Sequence, residues 1–184
     1  NVSLTCPSKE WLEEALVQSQ QIEGKLKIHV KIDTGMGRIG TSDLEELKEI
    51  NNLLDSEKLE FEGIFSHYSN ADGDDDNYDN YQTENFENSL NVFTHKPKYI
   101  HIENSAGTVK YSDREDRYNL SRIGIALYGC YPSGNIEKLD KVQLEPVASL
   151  ISKVTHVKKF QAGQKLGYGV SYEARQDEYI ATVP

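Results

Sequence analysis

A glycine-rich turn between a predicted strand and a predicted helix constrains this chain more than any other feature. The turn is Lys31–Gly40, with the sequence KIDTGMGRIG. Before it, Ile28, Val30 and Ile32 alternate with polar residues, which is the period-two pattern of a strand with one buried face. After it, a capping box predicts a helix that begins at Ser42. Barrel enzymes present catalytic groups where strands end in such turns, so we expect binding or catalysis here.

The same turn also matches the G-x-G-x-x-G fingerprint of dinucleotide-binding proteins, at Gly35–Gly40. That fingerprint requires an acidic residue at the end of the next strand, where it holds a ribose. The next predicted strand here ends in His67-Tyr68-Ser69, and its acidic residues lie at its beginning. The side chains of Met36 and Arg38 would also crowd a pyrophosphate. We therefore reject a nicotinamide site.

Composition excludes several classes of function. The 184 residues carry a net charge of −10, which argues against binding to nucleic-acid phosphates. The longest apolar stretch, Ile123–Tyr131, is too short to span a bilayer, and no secretory signal opens the sequence, so no membrane partner is expected. Cys6 and Cys130 lack metal-type spacing, and each is predicted to be a buried small hydrophobe. This pattern predicts a cytoplasmic protein without a metal. Because the sequence starts without Met and stops inside a predicted strand, we expect a piece of a longer protein.

Strand and helix patterns alternate through the first two-thirds of the chain, which predicts parallel strands in an α/β sheet or barrel. Helices are predicted from Pro7-Ser8, from Ser42 and through Phe86, and strands at Phe61–His67, at Tyr99–Glu103 and up to Leu120. After residues 131–134 the helix patterns stop. Strand-like runs at Val147–Val157, Leu166–Tyr172 and Tyr179–Val183 then predict an antiparallel β module. We place the domains at residues 1–135 and 136–184.

Polar residues follow four consecutive strand ends, and a shared edge would bring them together. They are Lys31 and Arg38, then His67, then Asn104 and Ser105, then Arg122. Each alone has a structural explanation: His67 could be a core histidine, Arg122 an ion-pair partner, and Asn104 a turn cap. The hydroxyl of Ser105 with the amides of Gly124 and Ile125 predicts a phosphate cradle, because hydroxyl and N–H groups bind anions.

Five segments, in this order and at this spacing, resemble the alanine racemase family. They are KIDTGMGRIG from Lys31, HYSNAD from His67, NSAGT from Asn104, RIGIALYG from Arg122 and YGVSY from Tyr168. The resemblance implies a pyridoxal 5′-phosphate enzyme of fold type III. Its fold would be α/β, a partial (β/α)8 TIM-type barrel followed by the start of a mainly antiparallel β domain. It also implies a homodimer with shared active sites.

The resemblance further implies a role for each matching residue. Arg38 lies near the phenolic oxygen of the cofactor, and Lys31 is the lysine, often carbamylated, that orients Arg38. Ser105, Gly124 and Ile125 bind the phosphate, with Asn104 beside them. Arg122 faces the pyridine nitrogen, and His67 hydrogen-bonds to Arg122. Tyr168 is a catalytic base delivered into the site of the partner subunit.

The implied reaction interconverts L- and D-alanine by two-base proton transfer, which supplies D-alanine for peptidoglycan. An arginine at the pyridine nitrogen keeps its proton, which favours returning a proton to the same carbon over transamination. Positive charge from the Arg122–His67 network would help Tyr168 act as a base, since an ordinary tyrosine has a pKa of about 10. The lysine that carries the cofactor in this family would precede Asn1.

Three alternatives to alanine racemase are weighed against it. A racemase for serine or another amino acid would share the fold. A non-catalytic pyridoxal-phosphate barrel would lack the β module, so Tyr168 argues against it. A soluble α/β protein with no site would make the five ordered segments a coincidence.

Overall fold

The computed structural model describes residues 2–114 and 118–184. The chain divides into two units, residues 1–146 and 147–184. No helix among the described residues is long and apolar enough to cross a membrane.

The first unit is built on a parallel sheet of four strands. These are β1 (Ser3–Cys6), β2 (Leu26–Lys31), β3 (Leu59–Phe65) and β4 (Tyr99–His101), and they lie side by side in chain order. The predicted alternation of strands and helices is confirmed. Because all four strands run in one direction, their carboxyl ends share one edge of the sheet.

Helices follow the strands along the chain. They are α1 (Lys9–Ser19), α2 (Leu44–Leu53), α3 (Asn77–Leu90), α4 (Ser105–Lys110) and α5 (Gly134–Lys138), with a 3₁₀ helix at Ile125–Tyr128. Side chains cap the first turns of α1, α2, α4 and α5. Ser8 caps α1 as predicted, its side chain accepting from the amide of Trp11. The predicted capping box at Ser42 is wrong. Asp43 caps α2 instead, because its carboxylate reaches the amide of Glu45 at 2.9 Å.

The two faces of β2 explain how the sheet divides core from site. Ile28, Val30 and Ile32 are fully buried in an apolar cluster shared with side chains of α1, α2 and α3. The alternating residues His29 and Lys31 lie on the opposite face. That second face is polar, and its last residue, Lys31, lies at the carboxyl edge of the sheet.

The predicted strand up to Leu120 is wrong. Residues 118–124 contain no strand, although they run beside β4. The amide of Ile100 donates to the side chain of Asn119 at 2.9 Å, and the Asn119 amide donates to Ile100 O at 3.1 Å. A side-chain oxygen thus takes the place of a backbone acceptor, and no regular ladder forms.

The second unit contains two antiparallel strand pairs, as predicted. β5 (His156–Phe160) pairs with β8 (Glu178–Thr182), and β6 (Lys165–Leu166) pairs with β7 (Tyr172–Glu173). The predicted strand runs are shorter than expected, since the first strand begins only at His156. A 3₁₀ turn at Tyr168–Val170 interrupts the run from Leu166 to Tyr172.

The two cysteines have opposite surroundings. Cys6 is buried, as predicted, and burial raises the pKa of its thiol to about 12. Cys130 is exposed, so its predicted burial is wrong. Cys130 lies two residues after the end of the 3₁₀ helix, whose apolar residues Leu127 and Tyr128 are exposed as well.

Candidate active site

The glycine-rich turn holds a buried lysine at the end of β2. Lys31 is 1% exposed, and its Nζ donates to the carbonyl of Ile32 at 2.6 Å. Asp33 shapes the turn by accepting from the amides of Gly35 and Gly37, both at 3.0 Å. Gly40, at φ +105°, is required by close packing, because a Cβ there would lie 2.7 Å from Lys31 O.

The guanidinium of Arg122 forms hydrogen bonds with residues at the carboxyl ends of β3 and β4. Nη2 donates to the carbonyl of Ser66 at 2.7 Å and to Nδ1 of His67 at 3.0 Å. Nη1 donates to Nδ1 of His101. The predicted hydrogen bond between Arg122 and His67 is therefore present. Five N–H donors in a rigid fork suit arginine, and not lysine, to such a set of acceptors.

A hydrogen-bonded relay continues from Arg122 across the polar face of the sheet. His101 Nε2 lies 3.1 Å from His29 Nδ1, and His29 Nε2 lies 3.1 Å from Glu62 Oε2. Glu62 also accepts from Lys27 Nζ at 2.6 Å and from the hydroxyl of Ser3. The hydrogen bond from Lys27 is the main reason that the pKa of Glu62 falls to about 2.

The ends of this relay fix the tautomer of both imidazoles. Arginine only donates, so His101 must accept at Nδ1 and carry its hydrogen on Nε2. His29 must then accept at Nδ1 and donate from Nε2 to the Glu62 carboxylate. Gly63 makes room for this arrangement, because a Cβ there would lie 2.4 Å from the His29 ring.

Sequence reasoning missed His101, Phe65, His29 and Glu62. Phe65 stacks on His101 with ring centroids 4.9 Å apart, and the Arg122 guanidinium carbon lies 5.1 Å from the Phe65 centroid. The signal for His101 was available in the sequence, because the alternation of Ile100 and Ile102 places it on the opposite, polar face of the strand.

Positive charge and burial together shift the ionisation of the site. Burial, opposed in part by Asp33, lowers the pKa of Lys31 to about 8, and the charges of Arg122 and Arg38 act in the same direction as burial. Arg38 is itself exposed on the turn. Burial lowers the pKa of Arg122 to about 10, so the guanidinium keeps its proton at neutral pH.

The positive charge of the Arg122–His67 network does not come from His67. Burial and the neighbouring Arg122 lower the pKa of His67 to about 4. They lower the pKa of His101 to about 3 in the same way. Both rings are therefore neutral at pH 7, and the positive charge of this group belongs to the two arginines and to the protonated fraction of Lys31.

These shifts predict acid sensitivity. An unfolded chain would protonate both rings near pH 6.5, but the folded protein protonates His67 near 4 and His101 near 3, so between these values the unfolded state binds more protons. We expect the free energy of unfolding to fall as the pH falls from about 6.5 to about 4. The slope should correspond to the uptake of up to about two protons on unfolding. Urea titrations of the full-length protein at several pH values would measure it.

The control for this prediction replaces an imidazole that lies away from the site. The His95 side chain is 74% exposed, so His95→Asn should keep the acid slope. His101→Asn should reduce the slope. If the slope is the same in both variants, the imidazole of His101 is not held neutral by the fold.

Ser105 lies where β4 meets α4, beside the segment that follows Arg122. Its Oγ accepts from the amide of Gly124 at 2.8 Å and from that of Ala126 at 3.4 Å, and these two amides flank Ile125. Asn104 caps α4, accepting from the amide of Gly107 at 3.0 Å and donating to Tyr68 O at 3.0 Å. The structure thus gives Asn104 a structural role, and its predicted cofactor contact stays a prediction.

Tyr168 belongs to the second unit, so its predicted place beside the residues of the first unit stays a prediction. Within its own unit its side chain is fully exposed. It opens the 3₁₀ turn between Gly167 (φ 78°) and Gly169 (φ 68°), and Val170 follows at φ 47°. A β-branched residue at positive φ is uncommon, which marks this turn as strained.

Comparison with known proteins decides the family. Sequence models of the alanine racemase N-terminal and C-terminal domains match residues 1–132 and 147–184. The chain belongs to the alanine racemase family. It is 41% identical over 184 residues to an alanine racemase of Lactococcus lactis subsp. lactis, and 42% identical over 185 residues to one of Limosilactobacillus reuteri. In each case it is covered completely but spans only 49% of the relative.

Solved structures confirm the fold of this family. The crystal structure of alanine racemase from E. faecalis matches 99% of the chain with a TM-score of 0.74 and 38% identity, and the chain covers 49% of it. Alanine racemase from Bacillus anthracis with bound L-Ala-P gives a TM-score of 0.77 and 37% identity, with 99% and 47% coverage. The predicted fold class is thus confirmed: part of the racemase barrel followed by the start of the β domain.

One structural neighbour acts on another amino acid. Histidine racemase from Leuconostoc mesenteroides subsp. sake matches with a TM-score of 0.72 and 26% identity. The match covers all of this chain and 49% of the histidine racemase chain.

Proposed function

We propose that the full-length protein is a pyridoxal-phosphate-dependent alanine racemase, an isomerase that interconverts L- and D-alanine. The observation that carries this proposal is the guanidinium of Arg122, which His67, His101 and the Ser66 carbonyl hold in place, two residues before Gly124, whose amide donates to the Ser105 hydroxyl. Family membership supports the reaction class. Alanine as the substrate, a cytoplasmic location and the supply of D-alanine for peptidoglycan are parts of the same proposal.

The residues present fit the cofactor that the family implies. A phosphate needs N–H or O–H donors, and because the Ser105 oxygen accepts from the amides of Gly124 and Ala126, its hydroxyl hydrogen is left to donate to a phosphate. A Cβ on Gly124 would lie in ordinary contact with Ser105 Oγ, at 3.7 Å, so Gly124 directly adjoins that hydroxyl. In this proposal Ser105, Gly124, Ile125 and Asn104 hold the phosphate. The charges of Arg122 and Arg38 would offset those of the anionic cofactor.

Bound pyridoxal phosphate would supply an electron-accepting ring that acidifies the α-hydrogen of the amino acid. Arg122 would face the ring nitrogen and, with a pKa of about 10, would not give up its proton at neutral pH. The neutral His67 accepts a hydrogen bond from Arg122 and fixes its orientation. Arg38 would lie near the phenolic oxygen of the cofactor.

Lys31 is the proposed site of carbamylation. Its lowered pKa of about 8 leaves part of the amine neutral at physiological pH, and a neutral amine adds to CO2 with loss of a proton. The carbamate would be an anion, and the two arginine charges that disfavour the Lys31 ammonium would stabilise it. It would then orient Arg38.

Tyr168 is the proposed base for one face of the α-carbon, delivered by a partner subunit in a homodimer. The domains are proposed at residues 1–135 and 136–184.

A second candidate function is a racemase for a different amino acid, such as serine or histidine. The structural similarity to histidine racemase favours keeping it. Both candidates would use the same cofactor residues and differ only in the side-chain pocket.

The test uses the full-length protein with added pyridoxal phosphate and separate solutions of L-alanine, L-serine and L-histidine. Loss of optical activity, fastest with alanine, is the expected result. Faster racemisation of serine or histidine would select the second candidate, and no racemisation of any amino acid would contradict both.

Ser105→Ala is predicted to weaken cofactor retention. Removing the hydroxyl deletes one phosphate donor and leaves the Gly124 amide without its acceptor. We expect the Kd for pyridoxal phosphate to rise about tenfold, in line with one charge-assisted hydrogen bond. A fluorescence titration measures this Kd. Ser121→Ala is the matched control, because the Ser121 hydroxyl donates to Glu103 at 3.0 Å instead. Equal affinities in the two variants would remove Ser105 from the proposed phosphate site.

A further inference from the structure

A buried glutamine on α3 joins two loops of the site. Gln82 is fully buried, and its Nε2 donates to the carbonyl of His67 at 2.9 Å and to Oγ1 of Thr34 at 3.2 Å. Its Oε1 accepts from the amide of Ser69 at 2.8 Å and from the Ser69 hydroxyl at 2.9 Å. All four hydrogen-bonding positions of the amide are therefore used.

The partners leave the amide only one orientation. The Ser69 amide can only donate and the His67 carbonyl can only accept, so Oε1 must face Ser69 and Nε2 must face His67. Neither Glu nor Leu can replace this pattern, because Glu lacks the donors and Leu lacks both functions.

The hydrogen bonds continue in one direction from Gln82 to the end of β2. Thr34 Oγ1 lies 2.7 Å from Ser66 Oγ, which donates to Ile32 O at 2.9 Å. Because that carbonyl only accepts, Ser66 uses its hydrogen there, Thr34 donates to Ser66, and Gln82 donates to Thr34. Ile32 O is also the acceptor for Lys31 Nζ.

We propose that Gln82 is a positioning residue, which fixes the Lys31–Gly40 turn relative to the loop that carries His67. The proposal rests on the proposed racemase function for its catalytic consequence. Gln82 touches neither Lys31 nor Arg122 directly. Gln82 acts through the backbone of His67 and through Thr34. Its loss should therefore displace both the Lys31–Gly40 turn and the loop that carries His67, which in the proposed racemase would lie at the cofactor.

A matched control lies at the other end of the sheet. Asn51 on α2 is also a buried amide, and its Oδ1 accepts from the amide and hydroxyl of Thr94, in the connection that leads into β4. That connection enters the amino end of a strand, away from the site. Asn51→Leu should destabilise the fold without displacing either site loop.

The experiment compares Gln82→Leu and Asn51→Leu in the full-length holoenzyme by two measurements. Hydrogen–deuterium exchange reports on amides in residues 33–41 and 66–70, and kcat reports on alanine racemisation. We expect Gln82→Leu to speed exchange at least tenfold in both loops and to lower kcat at least tenfold, because small displacements of catalytic groups slow reactions strongly. We expect Asn51→Leu to lower Tm while leaving both measurements within twofold of the wild type.

Thr34→Val tests the link between the loops. In a double-mutant cycle with Gln82→Leu, the two losses in kcat should be less than additive in free energy, because both break one chain of hydrogen bonds. If Gln82→Leu does not fold, Thr34→Val alone should speed exchange in both loops.

Unchanged exchange in either loop, or an equal loss of kcat in Asn51→Leu, would overturn the proposal. A wild-type protein without racemase activity would instead overturn the proposed function, and the exchange measurements would still decide the role of Gln82.

Discussion

Tyr168→Phe is expected to lower alanine racemisation by about 10²- to 10⁴-fold, the usual contribution of a general base. The substitution removes only the phenolic oxygen. Because the Tyr168 side chain is fully exposed in its own unit, we expect no change in Tm and no loss of bound cofactor. Polarimetry measures the rate, and absorbance measures the cofactor content.

The remaining base should make the loss asymmetric. Racemisation needs a base on each face of the α-carbon, so the variant should still exchange the α-hydrogen of one enantiomer with deuterated solvent, without inverting it. Tyr179→Phe is the control, since Tyr179 is also exposed in the second unit, at 74%. Equal activity of the two variants would remove Tyr168 from the catalytic groups.

A mixed dimer tests whether the base crosses between subunits. One subunit carries Tyr168→Phe, and the other lacks the lysine that binds the cofactor. Shared sites would leave one of the two composite sites intact, so about half of the wild-type activity per dimer should return. No rescue, with dimers confirmed by sedimentation, would mean that Tyr168 serves its own subunit or is not the base.

Arg122→Glu is expected to slow racemisation by about 100-fold or more and to raise the fraction of turnovers that end in pyruvate. The change replaces a group that only donates with one that only accepts, opposite His67, His101 and the Ser66 carbonyl. In the proposed racemase, a glutamate at this position would accept a hydrogen bond where Arg122 would donate one, which would allow a proton on the ring nitrogen and favour transamination. A coupled pyruvate assay beside polarimetry gives both rates.

Two further variants separate charge from geometry. Arg122→Lys keeps the charge but loses the fork, so it should lose activity without gaining pyruvate. Arg175→Glu makes the same charge reversal at an exposed position of the second unit and should change neither rate. Wild-type activity in Arg122→Lys would show that the forked hydrogen bonds are dispensable.

The sequence predicted the residues at the strand ends better than it predicted what supports them. The pairing of Arg122 with His67 came from the family resemblance, because the segment that precedes Arg122 forms no strand of the sheet. The relay through His29 to Glu62 depends on the register shift between β2 and β3, which no local pattern reveals. The position of Gln82 depends on how α3 packs, and a single glutamine in a polar helix carries no signal of burial.

The predicted element boundaries were wrong in two places, one where a side chain replaced a backbone acceptor and one where glycines at positive φ ended a strand. Asn119 supplies an acceptor that a strand would have supplied, so the predicted strand to Leu120 did not form. In the second unit, Gly167 and Gly169 at positive φ end the predicted run from Leu166. Apolar alternation continues through both places, and period alone cannot detect these interruptions.

The most direct test of the proposed racemase function follows the α-hydrogen itself. The full-length protein with pyridoxal phosphate would be incubated with L-alanine in deuterated water. The enantiomers would then be separated, and the deuterium content of each would be measured by mass spectrometry. We predict that D-alanine forms and that early D-alanine carries a solvent deuterium at the α-carbon. Two results would contradict the proposed function. The protein could bind the cofactor without forming D-alanine, or the D-alanine formed could retain the original α-hydrogen instead of deuterium.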